Sequence, residues 1–257
     1  MDVLRKELNA IYESQRLADE HLDHTELERC RHNTAIAVEV DGNCRVVTDA
    51  ADDRCYIYGG GLAFLLGLCD AESYAGEADS GDEDVIYNRI HPEDLVDKRM
   101  LEYEFFKFVD TLPPDEKLHH KATCRFRIMD RHGRYVHVDN STQIMRLSPR
   151  GKIWLILCCY TLSPDGGDAS GISARIVNGL SGEITDVGLS DRRAHILTPR
   201  EKEILRLIGK GKASKQIADI LGISIHTVSR HRQNILGKLS VGNSSEAIRA
   251  ATLMKLA

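Results

Sequence analysis

Hydrophobic and polar positions follow two different patterns along this chain of 257 residues. Between residues 122 and 162, apolar side chains alternate with polar ones or run together, which predicts three strands at residues 122–130, 134–147 and 152–162. The last strand contains the run IWLILCCY, which is apolar on both faces and therefore predicts a central position in a sheet. From residue 197 onward, apolar side chains recur three and four residues apart, the spacing of amphipathic helices.

The pattern is weaker in the first 110 residues. Apolar residues at heptad-like steps predict a helix over residues 1–31, and residues 34–40 and 44–48 predict a β-hairpin joined by a Gly/Asn turn. Residues 70–84 hold seven acidic side chains and no basic one, so they are predicted to form an exposed loop.

The C-terminal helices begin and end at recognisable residues. Thr198, Pro199 and Glu201 have the spacing of a capping box with proline at the first helical position. A second helix is predicted over residues 214–221, directly before Gly222, where glycine suits the left-handed conformation of a helix end.

The spacing of Ala218, Gly222 and Val228 is typical of a helix-turn-helix. A small residue lets the two helices approach, glycine permits the tight turn, and a β-branched residue packs the second helix onto the first. The following helix, predicted over residues 225–239, has two faces. The face predicted to meet the core is Ile225, Val228, Ile235 and Leu239, and the opposite polar face is His226, Ser229, Arg230, Gln233 and Gly237.

Charge is divided unequally along the chain. The net charge of −5 is the sum of −13 over residues 1–189 and +8 over residues 190–257, where 13 Lys and Arg face 5 Asp and Glu. A basic C-terminal segment is typical of a nucleic-acid-binding module. The polar face of the predicted helix at 225–239 suits the major groove of DNA, where an Arg side chain can recognise guanine and a Gln side chain can recognise adenine.

The segment LTPREKEILRLIGKGKASKQIADILGISIHTVSRHRQNILGKL resembles the LuxR-type (NarL/FixJ-like) helix-turn-helix, and the resemblance covers about residues 197–257. It implies a four-helix DNA-binding domain whose third helix enters the major groove. It also implies that Ser229, Arg230 and Gln233 face bases. Residues implied to hold phosphates or to orient the helix are Lys215, Thr227, His231 and Lys238.

Three residues depart from the family pattern. Ser229 stands where the family usually has Lys, so that Arg230 or Arg232 is expected to replace one contact. Ala213 occupies a capping position that is usually Ser or Thr, which costs about 1 kcal/mol unless Ser214 takes over. Ser244 replaces a commonly basic residue before the last helix. In the family that last helix often pairs two subunits, and capping the bundle is the alternative.

The acidic part resembles a PAS domain of the PAS_3 type over about residues 30–163. The resemblance is carried by the IHPEDL start of a helix over residues 91–108, by RFRIMDRHGRYVHV and by the final strand. It implies an α+β fold with a five-stranded antiparallel sheet and a pocket under the helices. We therefore expect a helix at 1–31, a PAS-like sensor at 32–163, a linker with a small β-hairpin at 164–196 and the all-α helix-turn-helix domain at 197–257.

These features predict a transcription regulator of the cytoplasm. The seven cysteines are an odd set without CxxC spacing, which favours reduced thiols over disulfides or zinc. No segment is long and apolar enough to predict a membrane span. No cofactor, metal site or catalytic constellation is predicted, and His91 is expected to cap a helix rather than to bind haem.

The expected partners are double-stranded promoter DNA, a second copy of the chain, RNA polymerase, and a small molecule or protein at the PAS-like domain. Two alternatives come from other classes. One is a sigma-factor-like promoter-binding subunit, which needs a helical partner region. The other is a ligand-processing enzyme fused to a helix-turn-helix.

Overall fold

A computed structural model describes residues 10–11, 15, 17–71, 74–78, 83–164, 172–189, 197–239 and 241–253. The chain divides between residues 187 and 188 into an N-terminal unit and a C-terminal unit. Among the described residues, no helix combines the length and the apolar character that a membrane crossing requires. All seven cysteines lie in described stretches and are free thiols.

The N-terminal unit is an α+β structure. A 3-10 turn at Leu17–Asp19 precedes its other elements. In chain order these are α1 (His24–Asp41), β1 (Cys44–Asp49), β2 (Arg54–Gly59), α2 (Gly61–Leu65), β3 (Tyr74–Ala78), α3 (Asp84–Tyr87), α4 (Pro92–Asp110), α5 (Pro114–Lys117), β4 (His120–Met129), β5 (Tyr135–Leu147), β6 (Ile153–Leu162), β7 (Arg175–Asn178) and β8 (Ile184–Asp186).

The described strands form one antiparallel sheet of eight, in the order β3-β2-β1-β6-β5-β4-β7-β8. The three strands predicted from alternation are confirmed as β4, β5 and β6. β6 is central because it pairs with β1 on one side and β5 on the other. Four successive residues, 153–156, are buried there, as expected for a strand covered on both faces.

The sheet is larger than the five strands expected. β3 extends one edge by pairing with β2. At the other edge the hairpin predicted within residues 172–187 forms as β7 and β8, and β7 pairs with β4. Both additions depend on pairing with a distant strand, which local sequence patterns do not encode.

The hairpin predicted at residues 34–48 was wrong. Residues 34–40 lie inside α1, which begins after the N-cap Asp23 and ends at Gly42 in the left-handed conformation. Leu27, Cys30, Thr34 and Val38 form its buried face at steps of three and four residues. That stripe packs with Val47, Trp154 and Leu155 in a core cluster, so tertiary packing outweighs the β-branched composition of the segment.

The predicted acidic loop at 70–84 was also partly wrong. Residues 74–78 form β3, and Glu83 is buried at 3% exposure. The helix predicted at 91–108 is confirmed as α4, and His91 caps it by accepting the Glu93 N–H at 3.3 Å. The single helix predicted at 1–31 was wrong where the structure describes it: residues 17–19 form the 3-10 turn, residues 20–23 are not helical, and α1 begins at His24. Before residue 17 the structure describes only residues 10, 11 and 15.

The C-terminal unit contains four described helices: α6 (Pro199–Gly209), α7 (Ser214–Leu221), α8 (Ile225–Leu239) and α9 (Ser244–Leu253). α8 packs against each of the other three, and α9 also packs against α6. The buried apolar side chains of these helices are Ile204, Leu205, Ile217, Ala218, Val228, Ile235, Ala247 and Ala251, and Glu201 of α6 is buried with them.

Candidate nucleic-acid interface

α8 presents one face to the core and the other to solvent. Val228 and Ile235 are 0% and 1% exposed and hold the helix against its neighbours. The residues predicted on the polar face are all exposed: His226, Ser229, Arg230, Gln233 and Gly237. We call these five residues the polar stripe of α8.

The start of α8 is fixed by its capping residue. Ser224 Oγ accepts the Thr227 N–H at 3.0 Å and lies 2.8 Å from the Thr227 hydroxyl. The first turn contains no acidic residue. Because the N-terminus of a helix carries partial positive charge and free N–H donors, this end is compatible with phosphate.

The turn before α8 has the geometry that its sequence predicts. Gly222 is the C-cap of α7 with φ 63°, and Ala218 O accepts the N–H groups of Gly222 and Ile223. Ala218 is 5% exposed beneath α8. The structural roles predicted for this spacing are therefore confirmed: Ala218 and Val228 are buried, and Gly222 forms the tight turn.

Arg232 does not lie on the polar stripe. Its guanidinium donates to Ser214 Oγ at 3.0 Å and to Ser244 Oγ at 2.8 Å. It joins the first residue of α7 to the first residue of α9, so that Arg230 is the exposed arginine of the two offered as a replacement for the contact at position 229. These hydrogen bonds give the Ser214 and Ser244 side chains a structural role, because both hydroxyls accept from the Arg232 guanidinium.

Lys238 is engaged inside the unit. Its ammonium lies 2.7 Å from Glu201 Oε2, and the same oxygen accepts the Thr198 N–H at 2.8 Å. Burial raises the pKa of Glu201, but hydrogen bonds from Lys238 and Thr198 outweigh it, so the pKa is lowered overall. The predicted capping box of α6 is confirmed, with Thr198 Oγ1 accepting the Glu201 N–H at 3.2 Å.

The other candidate residues differ in exposure. Lys215 is exposed in the first turn of α7, whereas Thr227 and His231 are half-buried. His231 Nδ1 is buried with no hydrogen-bond partner among the described atoms. At the start of α7 the Ala213 N–H donates to Gln216 Oε1 at 3.0 Å, but Ala213 has no side-chain oxygen that could accept the Gln216 N–H in return. Ser214 does not take over this cap.

Two apolar residues of the C-terminal unit are largely exposed. Ile225, expected in the core, is 49% exposed at the first residue of α8, and Ile220 in α7 is 55% exposed. Helical periodicity places Ile225 near the edge of the apolar face, where about half of its side chain remains exposed. Leu239 is half-buried.

The N-terminal unit buries a polar cluster between α3, α4 and β6. Lys98 Nζ lies 2.5 Å from Glu102 Oε1, which also accepts the Tyr87 hydroxyl, and Tyr160 donates to Glu83. All five side chains are at most 5% exposed. Glu102 Oε2 has no hydrogen-bond partner among the described atoms.

The pKa values of this cluster are set by burial and by mutual charge. Burial raises the pKa of Glu83. Burial alone would lower the pKa of Lys98, but the adjacent Glu102 carboxylate raises it. Sequence reasoning did not find this cluster, since a Lys and a Glu four residues apart on a helix are also typical of a solvated ion pair.

Two other polar features of the N-terminal unit are already satisfied internally. His91, Glu93 and Asp94 bring possible metal-ligand atoms within 4.8 Å of one another, but both carboxylates bind Arg127 and His91 caps α4. A groove of about 500 Å³ runs over β4–β6, and its charged residues include Arg125 and Asp139, which pair at 2.7 Å.

Comparison with known proteins identifies the family that the C-terminal unit resembles. Residues 195–251 match the family described as bacterial regulatory proteins, luxR family, so this part of the chain is a LuxR-family helix-turn-helix domain. The response regulatory protein YgeK of Escherichia coli, which is itself uncharacterised, is 50% identical over 58 residues, covering 23% of this chain and 40% of that protein. The transcriptional regulatory protein MctR of Rhizobium johnstonii is 39% identical over 85 residues, covering 33% of this chain and 37% of that protein.

This chain matches only about two fifths of the length of each of these curated relatives. A solved structure of the VqmA dimer of Vibrio cholerae, described among LuxR-type receptors, shares 17% identity over 86% of each chain with a TM-score of 0.30. At that score the match supports no statement about the fold or function of this chain.

Proposed function

We propose that this protein is a sequence-specific DNA-binding transcription regulator whose N-terminal unit is a PAS-like sensor. The observation that carries the proposal is the polar stripe of α8, which is exposed on a basic LuxR-family domain beside a capped helix start without acidic residues. The stripe has the chemistry of major-groove recognition, and the surrounding charge has the sign that phosphates require.

The stripe residues and their neighbours have distinct roles in this proposal. Arg230, Gln233 and Ser229 contact base edges, since they are exposed on the same side of α8. Lys215 and the Thr227 region contact phosphates from the helix starts. His231 donates from Nε2 to a phosphate because its Nδ1 is buried. Lys238 orients α8 through Glu201.

Binding-site selection from random DNA with the full-length protein tests this function. We expect a short recurring motif, and we expect Arg230→Ala to weaken binding to it by about tenfold and to relax the preference at one base pair, as the loss of one bidentate contact does. Arg206→Ala is the matched control, since Arg206 is an exposed arginine on α6. Failure to enrich any motif would refute the proposal, and equal effects of the two variants would refute the role of Arg230.

The sensor part of the proposal rests on element order and on the buried cluster. A PAS domain is expected to have two strands, short helices, a longer helix and then three strands. The N-terminal unit has β1 and β2, the short helices α2 and α3, the longer helix α4 and then β4–β6, with β3 as an added strand between α2 and α3. Buried ionic groups cost free energy and are weak evidence for stability, so Lys98, Glu83 and Glu102 are candidates for contact with a small molecule.

In this view a ligand or protein partner at the N-terminal unit changes DNA affinity, and DNA changes ligand affinity by the same factor. The regulator acts as a homodimer in the cytoplasm, with RNA polymerase as a further partner. Native mass spectrometry and an absorption spectrum of the purified protein test the sensor, because a co-purifying mass that is lost in Glu102→Leu supports a ligand at this cluster.

Neither alternative class gains support. A sigma-factor-like subunit needs a helical partner region, whereas the N-terminal unit is built on an eight-stranded sheet. The matched relatives named above are described as regulatory proteins rather than enzymes.

A further inference from the structure

Ile225 is an exposed apolar side chain at the start of the proposed recognition helix. It is the first residue of α8 and is 49% exposed, although Val228, one turn later, is completely buried. Ser229 lies four residues after Ile225 and is also exposed, so the two side chains project from the same side of the helix. Ile225 therefore lies directly beside the polar stripe, at the end of α8 that begins with the Ser224 cap.

Helix propensity does not favour isoleucine at this position. The first turn of a helix prefers Asp, Glu or Pro, and isoleucine is a poorer helix former than many polar residues. Because nearly half of the side chain stays in water, packing offsets only part of this cost. Residues that break a local rule without a gain in the folded chain are concentrated at functional sites.

We infer that Ile225 contacts the C5-methyl group of a thymine in the major groove and thereby fixes a T·A pair at one position of the DNA site. This inference rests on the proposed function, since it requires the N-terminal turn of α8 to lie in the major groove. Thymine carries the one apolar group on a base edge in that groove, and apolar side chains recognise it by contact. The adjacent Ser229 is short, so it leaves the Ile225 side chain accessible to a base edge.

Replacement of thymine by uracil tests the contact, because it removes the methyl group and leaves the hydrogen-bonding edges unchanged. The probe is the DNA motif obtained by selection with the full-length protein, in which each thymine is replaced singly by uracil. At one position we expect uracil to weaken binding of the wild-type protein by about three- to fivefold, the order expected for one lost methyl contact. Ile225→Ala is expected to bind the thymine and uracil DNA equally, and Ile225→Val to keep part of the difference.

Ile220→Ala is the matched control, because Ile220 is a similarly exposed isoleucine on α7. It is expected to retain the full difference between thymine and uracil, and thermal melts are expected to show that all three variants fold. The inference is overturned if no thymine shows a methyl effect, or if the effect persists in Ile225→Ala. Either result leaves the enriched motif, and thus the proposed function, intact, whereas absence of a motif overturns both.

Discussion

Arg232 illustrates how an arginine in the proposed recognition helix serves the domain itself. Its guanidinium is half-buried and donates to hydroxyls at the starts of α7 and α9. A guanidinium suits this task, since its planar fork can donate in two directions at once. Arg230, two residues earlier, has the opposite character because it is exposed on the polar stripe. Substitution of Arg232 should therefore affect stability, whereas substitution of Arg230 should affect DNA recognition.

We predict that Arg232→Ala destabilises the C-terminal unit by about 1–3 kcal/mol without changing which DNA motif is selected, because two charge-assisted hydrogen bonds are lost. Urea unfolding of the full chain measures the stability, and selection from random DNA measures the preference. Arg230→Ala is the matched control, since it should alter the DNA preference and leave the unfolding midpoint unchanged. A changed motif with unchanged stability in Arg232→Ala would contradict this assignment.

At the scale of elements, the starts of α6 and α7 differ in one hydroxyl group. α6 has both bonds of the capping box, through Thr198 and Glu201. α7 has only the bond from the Ala213 backbone to Gln216. The N–H groups in the first turn of α7 therefore lack the side-chain acceptor that Ser or Thr would supply at this position.

We predict that Ala213→Ser raises the free energy of unfolding by about 0.5–1 kcal/mol, because the new hydroxyl completes the capping box. Thr198→Ala removes the equivalent hydroxyl from α6 and should lower the free energy by about 0.5–2 kcal/mol. Both changes are measured by urea unfolding. If Ala213→Ser has no effect and Thr198→Ala lowers stability, the first turn of α7 is satisfied by solvent.

The elements predicted from the sequence are those whose signals are local. The capping box of α6, the turn at Gly222 and the alternation in β4 each depend on residues close in sequence. The second half of α1 was missed because its β-branched residues suggest a strand, whereas its C-terminal cap and the packing of α1 against β1 and β2 favour a helix. β3 was missed because it is defined by pairing with β2.

The same distinction applies to the candidate interface. Periodicity identifies the polar stripe of α8, because a helix with one buried face must expose the other. Periodicity alone does not show how far neighbouring helices extend over the edges of that face, and so it misplaced Ile225. The contacts of Arg232 with Ser214 and Ser244 span 18 and 12 residues, a separation at which sequence spacing carries no information about contact.

At the scale of the whole molecule, the change in charge and the change in structure fall close together. The two compact units divide between residues 187 and 188, and this boundary separates a net charge of −13 over residues 1–187 from +8 over residues 188–257. Each unit thus has its own electrostatic character. The C-terminal unit attracts phosphates and the N-terminal unit repels them. The salt dependence of DNA affinity should therefore reflect the small number of Lys and Arg side chains that neutralise phosphates.

Lys215 provides the sharpest test of this view. It is exposed in the first turn of α7 and is expected to hold one phosphate. Lys215→Gln should therefore weaken binding to the selected motif and to random DNA by similar factors. It should also reduce the slope of log affinity against log salt by about 0.9, the value for one fewer neutralised phosphate.

Fluorescence anisotropy titrations from low to high salt measure both quantities. Arg249→Gln removes an equal charge from an exposed site on α9 and is the matched control. If both variants change the slope equally, general attraction by the basic unit accounts for the salt dependence. If only Lys215→Gln changes it, phosphate binding is localised at the start of α7, where the helix-turn-helix geometry requires it.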